Sequence, residues 1–209
     1  MGAQRLLGVI ARLIPMFLVV ACGAAGGDRN GRPATSPPDP SQTLYVAASP
    51  GCGGRSPCYR TVQAAVDAAS EGALIKVAAG VYTSTEPHVL AIEKTVDLVG
   101  GYAAEDWSRP DLADQRPILD AERAPGRRGV YIDGTDAMTI TLAGFQIQRG
   151  YAQESAGGGI YVASGSVVLE NNAILSSTAD TSGGGVFVGG GDVTLRRNII
   201  RGNSARYGG

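Results

Sequence analysis

Gly159-Ile160-Tyr161-Val162 and Gly185-Val186-Phe187-Val188 are the same sentence written twice, and Gly129-Val130-Tyr131-Ile132 is an earlier copy of it. Each copy reads glycine, β-branched, aromatic, β-branched. A second apolar segment follows each one: Thr139-Ile140-Thr141-Leu142, then Val167-Val168-Leu169, then Val193-Thr194-Leu195. A third closes the unit: Phe145-Gln146-Ile147, Asn172-Ala173-Ile174, Asn198-Ile199-Ile200. Gly159 to Gly185, Leu169 to Leu195 and Asn172 to Asn198 are all 26 residues apart. The first copy is looser, Val130 to Ile160 being 30 and Leu142 to Leu169 being 27, with Gly134-Thr135-Asp136 supplying the extra turn.

A fixed period of this length signals a repeat architecture. Three short β-rich segments per period, with no stretch long enough for a helix, make each period one coil of a β-solenoid. Ser176 to Gly184 reads as a loop by composition. Alternation across a strand sends Ile160 and Val162 inward and Tyr161 outward. Coils stack about 4.8 Å apart, so equivalent residues form columns. Ile160 over Val186, Val162 over Val188 and Leu169 over Leu195 are the expected buried columns, and Asn172 over Asn198 an amide ladder. The triplets Gly157-Gly158-Gly159 and Gly183-Gly184-Gly185 mark bends that need positive φ or close backbone approach.

The Gly-Gly-Gly-Ile-Tyr-Val and Asn-x-Ile spacing resembles the repeats of pectate-lyase-like right-handed parallel β-helix proteins, and those of polymorphic outer-membrane proteins, over roughly residues 43–209. The resemblance implies an all-β fold, a right-handed parallel β-helix, and says little of function, since such folds host lyases, hydrolases, adhesins and inert surface proteins.

The 209 residues, 44% hydrophobic with 31 glycines, hold one domain plus extensions. A net charge of −1 provides no field to recruit nucleic acid. At the amino end, Arg5 and Arg12 precede an apolar stretch, Leu13 to Ala21, that ends at Cys22. That is the layout of an export signal over residues 1–22, too short and proline-interrupted for a membrane span. Val19-Val20-Ala21-Cys22 resembles the bacterial lipobox, which implies lipidation of Cys22, a membrane partner and a place in the bacterial cell envelope; an ordinary secretory signal with a chance cysteine is the alternative. Residues 23–42, with Pro33, Pro37, Pro38 and Pro40, form an extended tether. The folded part then spans 43–209.

In an exported chain, Cys52 and Cys58, six apart around a Gly/Pro loop, read as a disulfide. Val62, Ala65, Val66 and Ala69 mark one face of a helix at about 60–70, with Thr61 as N-cap, and this helix is the candidate cap for the amino end of the solenoid. Residues 103–116, with Trp107 and four acidic side chains, leave the stack as a lateral loop, and Pro117 to Asp120 returns to it.

With His88 the sole histidine, placed in a turn by Pro87, no nucleophile and base can be paired, and neither catalytic nor metal-ligating residues are assigned. The pectate-lyase-like alternative, a polysaccharide lyase or hydrolase, implies Ca²⁺ held by carboxylates and a basic side chain that abstracts a proton. Glu170 maps onto Arg196 and Asp192 onto Ser166, so no carboxylate column forms. The residues favour a structural, adhesive or glycan-binding role. Trp107 in its loop is one glycan-binding candidate, or else a partly buried loop residue. Tyr131, Tyr161 and Phe187 in the same outward slot are another, or else ordinary stacking in a sheet. Adding the period to Gly183 gives Gly209, so the chain ends as a fourth bend begins, and the expectation is a truncated solenoid whose uncapped last coil self-associates.

Overall fold

The computed structural model describes residues 42–48 and 51–209; Cys22 and the tether up to Ser41 lie outside the described residues. The chain is a parallel β-helix in which every pairing between named strands is parallel. It enters through β1 (Thr43–Val46), β2 (Cys58–Tyr59) and the helix α1 (Val62–Ala68). The first coils follow as β3 (Ala73–Ala78), β4 (Val81–Tyr82), β5 (His88–Ile92), β6 (Val96–Tyr102), β7 (Ile118–Asp120) and β8 (Arg128–Asp133). The repeats continue as β9 (Thr139–Ala143), β10 (Gln146–Gln148), β11 (Tyr151–Ala152), β12 (Ile160–Ser164), β13 (Ser166–Glu170), β14 (Ala173–Leu175) and β15 (Thr178–Ser182). The last coil is β16 (Val186–Val188), β17 (Asp192–Arg196), β18 (Ile199–Arg201) and β19 (Ser204–Tyr207).

Four sheets run along the axis. The first is ordered β17-β13-β9-β6-β3-β1-β2, the second β18-β14-β10-β7-β4, the third β11-β15-β19, and the fourth β16-β12-β8-β5. The register is the one the period dictates: Ile160 pairs with Val130 and Val186, and Leu169 with Leu142 and Leu195. The third sheet corrects the reading of residues 176–184 as loop. Thr178 and Ala179 pair with Tyr151 and Ala152 on one side and with Ser204 and Ala205 on the other. β15 carries no alternating apolar residues and includes Asp180, a poor strand former, and bonding between stacked coils overrides that.

Leu44, Ile75, Leu98, Leu142 and Leu169, with Leu90, Ile132 and Ile160 opposite, are fully buried and form one continuous core. The expected buried columns stop short of the last coil: Val188 is 43% and Leu195 48% exposed, because no further coil lies over them among the described residues. At the amino end α1 lays Val62, Ala65 and Val66 on that core, and the Thr61 side chain accepts from the Ala64 N–H as its N-cap. The Gln63 amide donates to the Ala91 carbonyl and accepts its N–H, which pins the helix to β5.

The corners explain the asparagines and glycines. Asn172 does not bond to Asn198 amide to amide, as a ladder would. Its Oδ1 accepts the Phe145 N–H and its Nδ2 donates to the Leu142 carbonyl of the coil before; Asn198 repeats this on the Asn172 N–H and the Leu169 carbonyl. Each amide thus satisfies backbone groups that a bend leaves unpaired. Gly157 and Gly183 take positive φ, 69° and 57°. Gly158 and Gly184 do not, but a Cβ on them would overlap the carbonyl oxygens of Thr178 and Ser204.

Candidate binding face

The fourth sheet brings the predicted aromatic slot together. Tyr131, Tyr161 and Phe187 are in register across β8, β12 and β16. Strands about 4.8 Å apart leave outward aromatic rings no choice but to stack. The ring centres of Tyr131 and Tyr161 are 5.6 Å apart, and those of Tyr161 and Phe187 5.2 Å. His88, which belongs to β5 and not to a turn as Pro87 suggested, extends the column by stacking on Tyr131 at 4.7 Å with planes 12° apart. The ring faces are therefore spent largely on one another. The column offers solvent its ring edges, its phenol groups and the outer faces of its end members.

A polar rim flanks the rings. The Tyr131 hydroxyl donates to Asp133 Oδ2 at 3.3 Å, and the Ser164 hydroxyl donates to Asp133 Oδ1 at 3.1 Å. On the other side the half-buried Arg128 guanidinium lies over the Tyr161 ring, 5.2 Å from its centre, and donates to the Ala156 carbonyl and the Ser155 hydroxyl. Burial lowers the Arg128 pKa. His88 is also held below its ordinary value, first by burial and then by the Arg128 charge, so the imidazole is neutral near pH 7. Its Nδ1 is shielded from solvent without a hydrogen-bond partner.

Trp107 stands apart from this face. It is 4% exposed, packed edge-on against Tyr45 and tilted on Tyr102, and its Nε1 donates to the carbonyls of Cys52 and Ala104. Cys52 forms the expected disulfide with Cys58, and the indole seals a small second core beneath it. The reading of Trp107 as a sugar-stacking residue is thereby corrected: a ring with both faces covered and its donor taken has nothing to give a ligand.

The charges elsewhere bind coil to coil. Glu170 accepts from Arg196 at 2.9 Å and Arg197 at 3.3 Å. Arg149 clasps the nearly buried Asp120 with two nitrogens. Among the described residues no group of three or more His, Cys, Asp or Glu side chains is placed to hold a metal ion. Sequence reasoning missed His88 and Arg128 as members of the binding face. Their signal was present in the pairing of β5 with β8, which the irregular spacing of the early coils concealed.

No curated protein and no solved structure matches the chain. One family profile matches residues 48–208, well over half of the chain and the whole run of coils described above. The chain therefore belongs to the family described as "Protein of unknown function (DUF1565)".

Proposed function

We propose that this is an exported β-helix protein of the bacterial envelope, tethered through Cys22, whose fourth sheet is an adhesive face that recognises carbohydrate. The observation that carries the reading is the outward column from His88 through Tyr131 and Tyr161 to Phe187, bordered by Arg128 and by the Asp133 and Ser164 pair. Aromatic edges at coil spacing, with donors and acceptors beside them, suit a polymer of repeating sugar units, which meets a ring again at each coil. The rigid stack needs little ordering on binding, which favours weak contacts repeated many times.

Two experiments test the parts separately. Fractionation of cells that express Cys22→Ser should move the protein from the membrane to the soluble exported fraction, and unchanged membrane association would refute the anchor. A glycan array probed with the protein, with and without Ca²⁺, should show Ca²⁺-independent binding to polysaccharide. If a pectate or related uronide were instead consumed, with product double bonds appearing in the ultraviolet, the protein would be a lyase and the adhesive reading would fall.

A further inference from the structure

The carbohydrate reading so far rests on the fourth sheet; a second concavity lies on the third. Arg123 and Pro125, from the bend between β7 and β8, meet Tyr151 of β11 and Thr178 and Asp180 of β15 around a space of about 330 Å³. Three successive passes of the chain thus build it, and Tyr151 and Thr178 are direct neighbours in register. The volume is at the lower end for small-molecule sites, the size for one or two sugar rings.

Its groups are complementary and partly uncommitted. Arg123 donates through Nη2 to the Ser176 carbonyl at 3.2 Å and has no other protein acceptor among the described residues, which leaves most of its five N–H groups free. Asp180 Oδ2 accepts the Glu154 N–H at 2.8 Å and the Tyr151 hydroxyl at 3.4 Å, which fixes the carboxylate. Its Oδ1 has no protein donor among the described residues.

We propose that this concavity is a binding subsite for a neutral sugar ring. Adjacent ring hydroxyls accept from the Arg123 guanidinium and donate to Asp180 Oδ1, while the C–H face of the ring lies against Tyr151 and Pro125. One positive and one negative side chain select a neutral ring: a uronate would gain from Arg123 and lose as much to Asp180. This site shares its ligand class with the proposed function but stands on different residues, so the two can fail independently.

The test is saturation-transfer NMR and calorimetry on the whole chain with neutral tetraoses of glucose, mannose and galactose, and with tetragalacturonate. At least one neutral tetraose should bind saturably. Arg123→Ala, Asp180→Asn and Tyr151→Ala should each weaken it about tenfold or more, the loss of roughly one good polar or stacking contact. Arg123 and Asp180 are exposed, so their variants should keep the circular dichroism of the parent. Tyr161→Ala should leave this binding within about twofold, well inside the effect of losing one contact. The proposal is overturned if no neutral tetraose binds, if tetragalacturonate binds more tightly than all of them, or if the three variants bind like the parent. Loss on Tyr161→Ala alone would overturn it too, while upholding the aromatic face.

Discussion

At the scale of single residues, the bends make the sharpest demands. Gly158 and Gly184 are glycine because a neighbouring coil's carbonyl occupies the place of a Cβ, whereas Gly126 has positive φ and open space around it. Gly158→Ala should therefore cost several kcal/mol, since something in the stack must move. Gly126→Ala should cost only the left-handed penalty of about 1–2 kcal/mol. Urea denaturation compares them, and equal losses would remove close approach as the reason for the triplets. His88 gives a second residue-scale prediction. Its pKa is depressed in the fold, so the unfolded chain binds the proton more readily and stability rises with pH. The contribution is present in full above the ordinary value of 6.5 and is lost as pH falls below it through the folded pKa. His88→Gln should flatten that dependence between pH 7 and 5; a variant as pH-sensitive as the parent would show that other groups titrate there.

At the scale of elements, the asparagine corners tie each coil to the one before. Asn172 is buried and serves both Phe145 and Leu142, so Asn172→Ala leaves two backbone groups unpaired and should cost about 2–4 kcal/mol. Asn198, half-buried in the last coil, has the same partners one coil later and should cost less. Thermal denaturation ranks them, and the reverse order would break this account of the corners. The same elements show what could be read beforehand. The 26-residue register fixed the pairing of β12 with β16 and of β13 with β17 to the residue, because apolar, aromatic and glycine positions all repeat in step. The disulfide and the capping helix were equally legible, from cysteine spacing and from a four-residue apolar face. β15 was not, since Thr-Ala-Asp-Thr-Ser has no apolar alternation to mark it off from a loop, and its pairing with two neighbours makes it a strand. Trp107 was left between two readings for a related reason: nothing in residues 103–116 discloses that the loop folds back over Cys52 and buries the indole.

At the scale of the whole molecule, burial depends on position along the stack. Val162 is fully buried between coils and Val188, its partner in register, is 43% exposed. Val162→Asp should cost several kcal/mol and Val188→Asp far less, because only the first leaves a charge with no water. The binding face is likewise a property of the stack, since no single coil holds more than one ring of the column and Arg128 reaches Tyr161 from the coil before. Any ligand of that face must therefore read several coils at once. The most direct measurement is the affinity of Tyr161→Ala for the best polysaccharide from the array, made in an Arg123→Ala background that removes the third-sheet concavity, and set against Val168→Ala in the same background, a half-buried position of β13 on the first sheet. The account predicts a loss of about tenfold or more for Tyr161→Ala, the effect of removing the central phenol and ring edge, roughly one good polar contact, and none for Val168→Ala. Equal affinities for the two variants, with both folded, would contradict it.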